Sequence, residues 1–115
     1  MDSSTSPLAL LKDPSLLKTD ALINGEWVGA NSRFEVTDPA TGQKLADVAN
    51  HGPESAHHAI VAANKAWPIW RAKTAKERAT ILMRWFQLLQ ANADDLARLM
   101  TAEQGKPLAE AKGEV

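Results

Sequence analysis

Two hydrophobic periods divide this chain. Between Ala21 and Asn50, short apolar runs alternate with polar residues and are broken by turn formers. Ala21-Leu22-Ile23 runs into Asn24-Gly25, and Glu26-Trp27-Val28 leads to a second turn at Gly29-Ala30-Asn31-Ser32. Arg33-Phe34-Glu35-Val36-Thr37 has the period-2 pattern of a half-buried strand. Asp38-Pro39-Ala40-Thr41-Gly42 cannot extend a central strand, because Pro39 lacks a donor and Gly42 marks a turn. Lys44 to Ala49 is a further strand candidate. The expected result is a small antiparallel set.

From Pro53 onward the helix formers Ala, Leu, Lys, Arg, Glu and Gln dominate. Gly52-Pro53-Glu54 opens a helix, with Pro suited to the first helical position and Glu to the positive helix N-terminus. That helix is expected to run to about Ala66 and to be disrupted by Pro68. Thr74-Ala75-Lys76-Glu77 is a capping box. Ile81, Leu82, Trp85, Leu88 and Leu89 then share one face, opposite Lys76, Gln87 and Gln90. That face is expected to pack against Trp67 or Trp70. Asn92 is placed to cap a third helix with Leu96, Leu99 and Met100 on its buried face, and Glu103 shares their side. Gly105 ends this helix and Pro107 starts a fourth, whose pattern is still running at Val115; a truncated chain is the expectation.

Composition narrows the function. The chain has 115 residues, 44% hydrophobic and 23% charged, sufficient for one globular domain. Thirteen basic against 14 acidic residues leave a formal charge of −1, which offers no pull toward nucleic acid or a membrane surface. Zero cysteines exclude disulfides and thiol catalysis within this chain and suit a reducing, cytoplasmic setting. Residues 1–20 hold scattered leucines among Ser, Pro and Asp, without the basic start and unbroken apolar run of a secretory signal; they are expected to form a flexible N-terminal arm. His57 and His58 point about 100° apart on a helix and share no metal-binding spacing. The six glycines make no phosphate-binding fingerprint. The tryptophans read as packing residues, and the basic residues from Arg71 to Arg84 as a solvated helix face.

Four motifs carry a family likeness: Ile23-Asn24-Gly25-Glu26-Trp27, Asp38-Pro39-Ala40-Thr41-Gly42, Thr74-Ala75-Lys76-Glu77-Arg78-Ala79 and Glu103-Gln104-Gly105-Lys106-Pro107. In this order and spacing they resemble the N-terminal part of an NAD(P)-dependent aldehyde dehydrogenase, most like the bacterial succinate-semialdehyde dehydrogenases. The resemblance implies an α/β parent of the aldehyde dehydrogenase-like fold. Of that parent, residues 21–115 are an incomplete α+β segment of the cofactor-binding domain, a small antiparallel strand set followed by about four helices. It also implies NAD or NADP, a small-molecule aldehyde substrate, 4-aminobutyrate degradation and a homo-oligomer, dimer or tetramer, all for the full-length parent.

The family's catalytic cysteine, glutamate and oxyanion asparagine come later than this chain reaches. No catalytic or cofactor-binding residue is therefore expected here, nor any activity of the segment alone. Some relatives hold a monovalent cation between carbonyl groups near the Asp-Pro-Ala-Thr-Gly turn and an acidic residue before Gly-Lys-Pro. The corresponding candidate metal site here is Val36, Thr37 and Glu103. Glu103 also has a local alternative, pairing with Lys106, Arg98 or backbone amides. Glutarate-semialdehyde dehydrogenase is the neighbouring substrate reading; a non-catalytic helical interaction module is the alternative from another class.

Overall fold

Turn chemistry sets the strands. Asn24 (φ 53°) and Gly25 (φ 76°) both adopt the left-handed conformation that a tight two-residue hairpin requires. They join β1 (Ala21–Ile23) to β2 (Glu26–Val28), with Leu22 opposite Trp27. A second antiparallel pair consists of β3 (Arg33–Thr37) and β4 (Lys44–Ala49). Phe34 faces Val48 and Val36 faces Ala46, after which the register shifts so that Thr37 faces Lys44. The strand set is thus two separate two-stranded sheets. The computed structural model describes residues 6–115.

Four helices follow: α1 (Pro53–Ala72), α2 (Ala75–Ala91), α3 (Ala93–Gln104) and α4 (Leu108–Glu114). The capping box forms as expected, with the Glu77 amide donating to Thr74 Oγ1 (3.1 Å) and the Thr74 amide to Glu77 Oε1 (2.9 Å). Gly105 ends α3 in the left-handed conformation (φ 73°), its amide donating to the Thr101 carbonyl (2.8 Å). Asn92 precedes α3 without capping it; its Nδ2 donates instead to the Leu88 carbonyl (2.9 Å) and closes α2. Pro68 does not break α1, which continues to Ala72. Proline removes the hydrogen bond to the carbonyl of residue 64, but both residues are exposed, so water can satisfy that group.

The expected packing of the tryptophan-rich helices is also corrected. Trp67 is 51% exposed and Trp85 60%, and Ile81, Leu82, Leu88 and Leu89 are exposed as well. The main contact of α2 is with α3, and that of α1 is with β1. Amphipathic periodicity shows which face of a helix is apolar, not which neighbour covers it. Burial is concentrated around α3, where Ala97, Ala102 and Ala111 of α4 are fully buried and Leu96, Leu99 and Met100 half-buried. The radius of gyration is 17.2 Å, against about 13 Å for a compact chain of this length.

The N-terminal segment is held rather than loose from Ser6 onward. Short 3-10 turns at Pro7–Leu10 and Pro14–Leu16 are capped by Ser6 and Asp13, and the first packs on α3. Residues 1–5 of the expected arm lie outside the described residues. Among the described residues, no helix is long and apolar enough to cross a membrane.

Candidate functional site

Two of the sequence motifs meet at the C-terminal end of α3. Asp38, 5% exposed, organises the β3–β4 turn: its Oδ1 accepts from the Ala40 amide (2.8 Å) and its carbonyl from the Gly42 amide (2.7 Å). Pro39 of this turn lies against Gly105, where an added Cβ would approach Pro39 Cγ to 3.1 Å. Absence of a side chain at Gly105 therefore lets the helix end and the turn approach closely.

Beside this contact is a cavity of about 20 Å³, enough for roughly one water-sized occupant. Val36, Leu45 and Val48 line it from the β3–β4 pair, Leu8 and Leu17 from the N-terminal segment, and Glu103 from α3. Of the predicted cation site, Val36 and Glu103 thus share one cavity, whereas Thr37 is not on its wall. Glu103 as a whole is exposed, which corrects its expected inward orientation: only part of the residue reaches the cavity. The cations anticipated as its partners lie nearer other carboxylates. Lys106 pairs with Glu114, and Arg98 Nη1 lies 3.7 Å from Asp95 Oδ1. Among the described residues no cluster of three His, Cys, Asp or Glu side chains is arranged for a metal ion.

Two polar residues missed in the sequence reading prove to be tertiary fasteners. Asp95, 4% exposed, accepts the Lys12 amide on Oδ1 and the Asp13 amide on Oδ2, both at 2.9 Å. These backbone bonds, with Arg98 adding to them, hold its carboxyl below the usual aspartate range despite desolvation. From sequence, an acid in the first turn of a helix needs no further explanation than the helix dipole. His51 bridges Val28 O through Nε2 (2.9 Å) and Ser55 Oγ through Nδ1 (3.0 Å). The carbonyl can only accept, so Nε2 carries a proton and donates to it. The imidazole fastens β2 to the start of α1, adjoining an open cleft lined by Arg33 and Asn50.

Chemically, this arrangement positions and fastens; it contains no thiol, and the cavity is too small for an organic substrate. Residues 27–115 match the model of the aldehyde dehydrogenase family. The chain is 59% identical over 107 residues to succinate-semialdehyde dehydrogenase [NADP(+)] of Escherichia coli K12, covering 91% of this chain and 22% of that enzyme. It is 57% identical to 3-sulfolactaldehyde dehydrogenase and 56% identical to glutarate-semialdehyde dehydrogenase, both of Pseudomonas putida, over the same shares. The crystal structure of succinate-semialdehyde dehydrogenase from Burkholderia pseudomallei superimposes with a TM-score of 0.88 at 59% identity, over 91% of this chain and 22% of that one. The chain thus spans about a fifth of the length of these relatives. With a family match from Trp27 to Val115 and the same fold as these enzymes, the chain belongs to the aldehyde dehydrogenase family.

Proposed function

We propose that this chain is the N-terminal segment of an NAD(P)-dependent dehydrogenase that oxidises succinate semialdehyde to succinate, within 4-aminobutyrate degradation. The observation that carries the reading is the 59% identity to the Escherichia coli succinate-semialdehyde dehydrogenase over nearly the whole chain. Relatives acting on glutarate semialdehyde and 3-sulfolactaldehyde follow within a few per cent. All three names describe aldehydes with an anionic group at the far end, so the substrate class proposed is a short anionic aldehyde. The segment itself supplies scaffold rather than chemistry. Aldehyde oxidation in this family proceeds through a thiohemiacetal on a cysteine thiolate, and this chain has no cysteine. The same proposal takes the parent to be a cytoplasmic homo-oligomer, with NAD or NADP bound by residues outside this segment. A monovalent-cation site at Val36, Thr37 and Glu103 belongs to the same proposal; what supports it is that Val36 and Glu103 share the small cavity, whose wall also carries Lys18.

The test is an assay of NAD(P)H formation by the full-length protein with succinate semialdehyde, glutarate semialdehyde and 3-sulfolactaldehyde, each with NAD and NADP. The highest kcat/KM is expected for succinate semialdehyde. A preference for either other aldehyde would replace the substrate assignment, and activity of the isolated 115-residue chain would overturn its non-catalytic role.

A further inference from the structure

We infer that residues 8–18 form a strap that seals the cavity between the β3–β4 pair and α3, with Asp95 as its latch. The strap crosses from one element to another and is held at two points. At one end the Thr19 carbonyl accepts the Ala49 amide of β4 (2.8 Å), and the Arg33 guanidinium holds the Asp20 carboxylate (2.8 Å). At the other, Asp95 of α3 binds the consecutive amides of Lys12 and Asp13. Leu17 and Lys18 between these anchors, and Leu8 on the far side of the Asp95 anchor, line the cavity opposite its floor of Val36, Leu45 and Val48.

The strap's own structure favours opening as a unit. Its two 3-10 turns are closed by local bonds, Ser6 Oγ accepting from the Leu8 amide (3.2 Å) and Asp13 Oδ1 from the Ser15 amide (3.1 Å). It is in neither sheet, so no strand ladder resists its release. Its directional hold on α3 is the Asp95 carboxylate, which is buried and bound to two backbone donors. Charge-assisted bonds of this kind are about twice as strong as neutral ones, and losing one leaves a buried group unpaired. The structure thus links the strap's cover over the cavity to a buried side chain in the first turn of α3, beside the packing of the Pro7–Leu10 turn on the same helix.

The experiment compares amide hydrogen exchange in the full-length protein and its Asp95→Asn variant. Asparagine keeps the shape but offers one acceptor oxygen, so one of the two amides loses its partner. Exchange at Lys12 and Asp13 is expected to accelerate about tenfold or more, while amides in the middle of α3 keep the wild-type rate. Val48→Cys, alone and combined with Asp95→Asn, reports on the floor: alkylation of this cysteine, followed by peptide mass, is expected to be faster in the double variant. If Asp95→Asn does not fold, Lys12→Pro removes one donor from the strap and leaves α3 intact; it is expected to accelerate Asp13 exchange and, paired with Val48→Cys, alkylation. Unchanged exchange at Lys12 and Asp13 in Asp95→Asn, or at Asp13 in Lys12→Pro, would overturn the latch. Faster strap exchange with unchanged alkylation would overturn the seal.

Discussion

Gly105→Ala tests the contact that joins two of the family motifs. Two costs are separable there. The first is backbone strain: Gly105 has φ 73°, and an L-residue in the left-handed region costs about 1–2 kcal/mol. The second is steric: the new Cβ would lie 3.1 Å from Pro39 Cγ, closer than ordinary contact, so the turn must shift by a few tenths of an ångström. That turn is braced by the buried Asp38 and its bonds to Ala40 and Gly42, which limits how far Pro39 can yield. A further ~1 kcal/mol is expected, at the low end of overpacking costs. The total is about 2–3 kcal/mol.

Gly25→Ala is the internal reference. It has nearly the same backbone conformation, φ 76°, but nothing within 4 Å of the added Cβ. It should show the backbone cost alone. Gly113→Ala, in an exposed turn of α4 with open space around it, should be neutral or stabilising by about 0.5–1 kcal/mol. Denaturant midpoints of the three variants in the full-length protein, at matched concentration, rank them directly. The expected order is Gly113→Ala above wild type, then Gly25→Ala, then Gly105→Ala. If Gly105→Ala is no worse than Gly25→Ala, the approach of α3 to Pro39 carries no energy and the close-contact argument fails.

Thr74→Ala removes the acceptor for the Glu77 amide and should destabilise by about 1 kcal/mol, read as a shift in denaturant midpoint. His51→Phe removes the bridge between the Val28 carbonyl and the Ser55 hydroxyl, which water can reach from the adjoining cleft, and should cost about 1 kcal/mol; an unchanged midpoint would show that the imidazole bridge contributes nothing. The Asp95 carboxyl is held below its ordinary value, so its contribution is present above the unfolded pKa of about 3.9 and is lost as pH falls through the lower folded value. Acid unfolding of wild type should therefore contain a stability loss in that range that Asp95→Asn lacks. The exposed apolar residues of α1 and α2, Trp67, Ile69, Trp85 and Phe86 among them, predict that the isolated chain self-associates. A monodisperse monomer in analytical ultracentrifugation at micromolar concentration would contradict that.

Local chemistry was legible from the residues themselves. Asn24-Gly25 demanded a left-handed turn, Thr74 and Glu77 a reciprocal cap, and Gly105 a helix end; all three form with the expected geometry because each is decided within a few positions of chain. The resemblance carried by four short motifs likewise led to the right family. Partners distant in the chain were not legible. The apolar arc of α2 announced a buried face, yet among the described residues it stays exposed, because periodicity specifies a surface and not its occupant. Nothing in the sequence singles out Asp95, and only the folded chain brings the amides of Lys12 and Asp13 to it from more than 80 positions away. Those donors are backbone groups, present at every non-proline residue, so no side-chain pattern could mark them. Val36 and Glu103 were paired beforehand by the family resemblance alone; that Leu8 joins them at one cavity is decided by the tertiary placement of α3 against the second hairpin and the N-terminal strap.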